Sequence, residues 1–177
     1  LYCSTGKLMT QRIGLMYGST TMNSERVAEL IWDKMQETEL HDIQDGVDVL
    51  EQYTKIILVA PTWDYGALQE HYIEQWDKLV LSVNWTNKSV ALVGLGDQVG
   101  YGELYQDALA EIYNVLEPLG AKFVGFTSTQ GHNYKKSKAV IDNKFVGLAI
   151  DEDCQRDLTE ERLNSWIEEI RSSWSLA

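Results

Sequence analysis

Cysteine is almost missing from this sequence: Cys3 and Cys154 are the only two. Cys3 falls in a stretch, Leu1 to Leu8, that does not read like the rest and precedes Met9. The expectation is that residues 1–8 are a leader, that natural translation starts at Met9, and that 9–177 form one domain. A single remaining cysteine cannot close an intramolecular disulfide, which fits a reducing cytoplasm. Histidine is as sparse, and His41, His71 and His132 lack ligand spacing, so no metal site is expected. No apolar run approaches the roughly 20 residues that span a bilayer, so a soluble protein without membrane association is expected. Positive charge is short as well, with 15 Lys and Arg against 27 Asp and Glu and a net charge of −12. Nucleic acid and anionic membranes would be repelled by such a surface. A basic protein partner would be steered toward it, although acidity alone also serves solubility.

What is present is enough for one core. Hydrophobic residues make up 44% of 177, a length that suits one domain rather than two. Apolar runs of strand length alternate with stretches of helical period, the pattern of βα repeats around a parallel sheet covered on both faces. Strands are expected near Arg12–Tyr17, Leu40–Ile43, Lys55–Ala60, Ser89–Gly94, Lys122–Phe126 and Phe145–Ile150. Helices are expected near Ser24–Gln36, Tyr72–Leu79 and Glu103–Leu116, and in a last segment opened by Thr159 as N-cap. A polar stretch, Thr127 to Asn143, interrupts the last strand region. This order suits a doubly wound α/β fold, a five-stranded parallel sheet of order 2-1-3-4-5 with helices on both faces. Ligands of such folds sit at the carboxyl ends of the strands, near the switch point.

Three loops follow the first, third and fourth strands and so converge at that end. The first, Gly18-Ser19-Thr20-Thr21-Met22-Asn23-Ser24, carries hydroxyls and an amide straight into a helix. Backbone N–H groups and the helix dipole attract an anion there, although Ser, Thr and Asn also serve as ordinary caps. It has no lysine and no G-x-x-x-x-G-K-[ST] pattern, which argues against nucleoside triphosphate hydrolysis. The second, Pro61-Thr62-Trp63-Asp64-Tyr65-Gly66-Ala67-Leu68-Gln69, places Trp63 just past a buried strand, either to stack on a planar ligand or to cap the sheet. The third, from Gly94, Leu95, Gly96 and Asp97 to Tyr101 and Gly102, lets backbone approach a ligand closely and adds a second aromatic. Its glycines follow the fourth strand, not the first, so a dinucleotide fingerprint is not indicated. Two aromatics from separate loops describe a slot for a flat ring whose phosphate lies in the first loop.

Through these loops the chain resembles the flavodoxin family, long-chain type, over Arg12 to Trp174. The matching text is Y-G-S-T-T-M-N-S, P-T-W-D-Y-G-A-L-Q, G-L-G-D-Q-V-G-Y and F-V-G-L-A-I-D-E-D. In flavour it is similar to the second flavodoxins of enterobacteria and their relatives. The resemblance implies non-covalent flavin mononucleotide (FMN), with Ser19, Thr20, Thr21, Asn23 and Ser24 on its phosphate. It implies Trp63 and Tyr101 around the isoalloxazine, Asp97 at the pyrimidine edge, and backbone or hydroxyl bonds from Thr62 and Gly96. The remaining residues of the three motifs, Met22, Pro61, Asp64, Tyr65, Gly66, Gly94 and Leu95, belong to the same expected site, and the Asp64–Tyr65 peptide would turn its carbonyl toward the flavin. The insertion near Thr127–Asn143 would split the last strand.

Function is then expected to be low-potential one-electron transfer by a monomer, between an NADPH-dependent flavodoxin reductase and low-potential acceptor enzymes, with no catalytic residue of its own. An FMN-dependent NAD(P)H:quinone or azo reductase on the same fold is the first rival, and a cofactor-free interaction module the second. Three departures from the family pattern stand out: Met22 for a usual Gly, Thr20 for a common Asp, and Ala67 for a frequent Glu. Cys154 is expected to be inert, and Asp151, Glu152 and Asp153 form either a solvated loop or a docking surface.

Overall fold

The computed structural model describes residues 12–177, so the expected leader lies outside the described residues. Five positions make up its main sheet. Strand β1 (Ile13–Tyr17) pairs in parallel with β2 (Thr38–Asp42) on one side and β3 (Lys55–Trp63) on the other. Beyond β3 lies β4 (Ser89–Leu95), again parallel. The fifth position is shared: β5 (Lys122–Val124) pairs with Ser89–Ala91, and β6 (Leu148–Ile150) pairs with Val93–Leu95. Strand order is therefore 2-1-3-4-5, with β6 completing the last place. The expected split of the last strand is present. Between the two halves the chain folds into a small antiparallel sheet of Thr127–Ser128, Lys144–Phe145 and Val140–Ile141.

Alternation along the strands builds a core on each face. Ile13, Leu15, Ile57, Val59, Ala91 and Val93 point to one side, where α1 (Asn23–Lys34) adds Val27, Ala28 and Ile31 and α4 (Thr159–Ser173) adds Leu163, Trp166 and Ile170. Met16, Ile56, Leu58, Val90 and Leu92 point to the other, covered by Tyr72 and Leu79 of α2 (Glu70–Leu81) and by Ala108, Leu109 and Ile112 of α3 (Asp107–Leu116). Each large aliphatic side chain buried this way stabilises the fold by about 1.5 to 3 kcal/mol. Among the described residues no helix is long and apolar enough to cross a membrane.

Among the local outcomes that differ from expectation, three have a visible cause. Strand β3 runs on to Trp63 because Thr62 and Trp63 find an antiparallel partner in Ala67–Leu68. Helix α3 starts at Asp107, not Glu103, because Gln106 takes a left-handed φ of 63° that no α-helix continues through. Thr159 is the first residue of α4 and not its cap: its hydroxyl donates to the buried Glu152 carboxylate, and Leu158 caps without a side-chain bond.

Candidate cofactor-binding site

The carboxyl ends of β1, β3, β4 and β6 surround a cavity of about 480 Å³. That is within the range of about 300 to 1,000 Å³ for small-molecule sites. Nine of the residues expected from sequence line it: Thr21, Asn23, Pro61, Thr62, Trp63, Leu95, Gly96, Asp97 and Tyr101. All three loops are represented, because β1, β3 and β4 are adjacent and parallel and so deliver their exits to one edge.

Other expected residues are in the same loops outside the cavity lining. Thr20 and Met22 are exposed, Ser24 is buried at the start of α1, and Ser19 has a buried Oγ without a hydrogen-bond partner. Gly94 lies within β4, where any Cβ would collide with Gln106, and Gly66 packs on Asp107. Asp64 begins the turn that carries Tyr65 at φ 57°, with its ring almost wholly in solvent.

Four lining residues were not anticipated: Leu104, Tyr105, Glu152 and Asp153. Leu104 and Tyr105 lie in a turn, where the apolar period of the sequence suggests the start of a helix. Asp153 and Glu152 were visible as an acidic run, but nothing in the sequence tells that the exit of a strand completed after an insertion reaches this edge.

The phosphate-type end is built from backbone. Met22 holds φ 66° and ψ −6°, the left-handed region, and from there the chain turns into α1. The first N–H groups of α1 have no intrahelical acceptor and carry the positive end of the helix dipole. Arg26 in the first turns of α1 is engaged elsewhere, paired with Glu152, whose side chain is 2% exposed and also meets Arg156 at 3.4 Å. An anion here is therefore met by neutral donors and the helix end. The orphaned Ser19 hydroxyl fits that use, since a phosphate oxygen is the acceptor it lacks.

The ring-type end is aromatic and acidic. Trp63 is 37% exposed and Tyr101 59%, which is a large apolar area to leave in water at a cavity. Asp97 stiffens the third loop by accepting the N–H groups of Val99 at 3.0 Å and Gly100 at 2.7 Å. Partial burial opposes its charge, but those bonds, with the thiol of Cys154, outweigh it and hold its carboxyl below the usual range. Asp153 is pushed the other way, by burial and then by the charges of Asp97, Asp151 and Glu152. Asp151 is 0% exposed and accepts N–H groups of Gln98, Asp153 and Cys154, which fastens the loop after β6 to the loop after β4. Ligand atoms of Asp97, Asp151 and Cys154 lie within 4.8 Å of one another, but their oxygens serve these bonds. Local desolvation, then the bond to Asp97 and the charge of Asp151, push the Cys154 thiol up, which makes it a poor nucleophile at neutral pH.

Comparison with known proteins agrees with this geometry. The sequence model of the flavodoxin family matches residues 15–166. The chain is 45% identical over 163 residues to Flavodoxin 2 of Escherichia coli, covering 89% of this chain and 94% of that one. It is 43% identical over 164 residues to a flavodoxin of Synechocystis, covering 90% and 96%. Among solved structures it is similar to a Fusobacterium nucleatum flavodoxin bound to flavin mononucleotide, with a TM-score of 0.87 and 32% identity over 92% of this chain and 98% of that one. A match of this extent, on a parallel sheet whose three exit loops carry the expected motifs, means that the chain belongs to the flavodoxin family.

Proposed function

We propose that this protein is an electron carrier that holds FMN non-covalently in the cavity, with the phosphate in the 18–24 loop and the ring beside Trp63 and Tyr101. It passes single electrons at low potential from an NADPH-dependent flavodoxin reductase to low-potential acceptor enzymes. The observation that carries this reading is the pairing of two half-exposed aromatics on separate loops with a helix start whose one nearby cation, Arg26, is paired with Glu152, all at one cavity. The relative bound to flavin mononucleotide supports the choice of ligand.

FMN, when bound, supplies the electron chemistry. The chain supplies the surroundings: Trp63 and Tyr101 exclude water from a flat ring, and hydroxyls with helix N–H groups hydrogen-bond the phosphate without a lysine. Asp97 and Asp153 line the cavity with negative potential, which disfavours further negative charge on whatever it holds. That is the property a low-potential carrier needs.

Reconstitution of the apoprotein with FMN followed by potentiometric titration tests the reading. Two resolved one-electron steps are expected. A single two-electron step would support an FMN-dependent reductase instead, and absence of FMN binding would leave an interaction module. Thr21→Ala should weaken FMN by about 1.5 to 3 kcal/mol, because it removes a donor to a charged acceptor.

A further inference from the structure

The motif from Pro61 to Gln69 gives Pro61, Thr62 and Trp63 to the cavity, yet its last residue lies outside it. Gln69 is the N-cap of α2, and its Oε1 accepts the N–H of His71 at 3.1 Å. That bond settles which end of the amide is oxygen. The residue is 0% exposed, and its Nε2 has no hydrogen-bond partner. A buried amide donor without an acceptor is costly, so its retention calls for a use.

Its position supplies one. Gly18 opens the first loop directly against Gln69: a Cβ built on Gly18 would fall 2.7 Å from Gln69 Oε1 and 2.7 Å from Tyr72 Cδ2. The next residue, Ser19, carries another buried polar atom without a partner, its Oγ. One group can only donate, and the other both donates and accepts. A hydroxyl that directs its single proton at an anion has lone pairs left for a donor from the protein. Gln69 holds its amide at the root of that loop, with Oε1 nearest Gly18 and Nε2 unmatched.

We propose that Gln69 is a positioning residue for the phosphate loop: Gln69 Nε2–H donates to Ser19 Oγ when a phosphate monoester fills the loop, turning the Ser19 proton toward a phosphate oxygen. The inference rests on the FMN reading of the site. Gln69 does not touch the ligand and acts through Ser19. A hydroxyl polarised by one donor is a better donor to an anion, so the two bonds strengthen each other. Without ligand both groups stay unmatched, and binding relieves both at once.

The test compares FMN with riboflavin, which lacks the phosphate, by titrating flavin fluorescence with apoprotein. Gln69→Glu keeps the acceptor for His71 N–H and so preserves the cap, whereas Gln69→Met removes both functions. Both should weaken FMN about tenfold or more. Riboflavin affinity should stay within about twofold, since the ring end is unchanged. In a Ser19→Ala background, Gln69→Met should cost little more than Ser19→Ala alone. Inorganic phosphate should raise the unfolding temperature of the wild-type apoprotein more than that of Gln69→Met. Equal losses for FMN and riboflavin, or losses that add independently with Ser19→Ala, would overturn the proposal. Equal affinity of the wild-type protein for the two flavins would overturn the phosphate-loop reading itself, and this inference with it.

Discussion

At Met22 a side chain stands where the chain needs a left-handed turn, and φ 66° shows that the fold imposes it regardless. The conformation costs an L-residue about 1 to 2 kcal/mol, part of which glycine would give back through its greater freedom when unfolded. A β-branched residue suffers more in that region than an unbranched one. The unfolding temperatures of the apoproteins are therefore expected to rank Met22→Gly above wild type, and wild type above Met22→Val, in calorimetry. A valine variant as stable as wild type would show that the loop can reach α1 by another path. Nearby, Gly18 was legible as a turn residue, but its close packing on Gln69 and Tyr72 was not, because both neighbours come from beyond the third strand.

Elements in this fold are held to one another at their ends, often by a single side chain. Lys88, 7% exposed, directs its ammonium into the carbonyls of Leu50, Glu51 and Tyr53 at 3.1, 3.3 and 2.7 Å, where a short 3-10 helix (Asp48–Gln52) stops before β3. Lys88→Met keeps the length of the side chain and leaves those carbonyls unmet. It should lower unfolding free energy in urea by about 3 kcal/mol, and a change under about 1 kcal/mol would mean that water replaces the ammonium. Thr62 has a similar part at the site, its Oγ1 accepting the N–H of Ala108 at 3.2 Å in the first turn of α3. Helix and strand identities were readable because their apolar periods differ. Their ends were less so: Gln106, before α3, is bonded to Ile150, 44 residues away, and Thr159 turns its hydroxyl back to Glu152 instead of capping α4.

The whole molecule is stitched around its cavity by the insertion. Tyr105, which lines the cavity, has its hydroxyl 3.0 Å from Nδ1 of His132, and Lys135 and Lys136 donate backbone N–H groups to Gly102 O. Burial, then the charge of Arg162, lowers the pKa of His132 from 6.5 to about 4, while Asp151 partly opposes. An unfolded chain therefore binds this proton first. The contribution is fully present above about pH 6.5 and is lost as pH falls toward about 4. His132→Gln, which leaves Tyr105 a hydrogen-bond partner, should flatten the stability profile in that window. It should not alter the loss at lower pH, where carboxylates held down in the fold, Asp97, Glu37 and Glu39 among them, take up protons. An unchanged slope between those limits would assign the acid sensitivity to other groups. Net charge acts on the same scale: with −12 to steer a basic partner, reduction by a flavodoxin reductase should slow as ionic strength rises. A rate independent of salt would remove electrostatic steering.

Sequence alone determined the α/β class, the strand order and the three loops, because each is written in local terms: apolar period, turn chemistry and short motifs. It also determined the acidity that limits which partners can approach. Tertiary structure decided how the loops are shared out around the cavity. Thr21, Asn23, Trp63, Asp97 and Tyr101 line it, while Ser19, Met22 and Tyr65 belong to the same loops outside that lining. It also brought Leu104, Tyr105, Glu152 and Asp153 there and left Gln69 with a buried donor. The physical reason is distance along the chain. Asp151 fastens Gln98 across 53 residues and Gln106 holds Ile150 across 44, and contacts of that span arise from the stacking of the strands rather than from any local pattern.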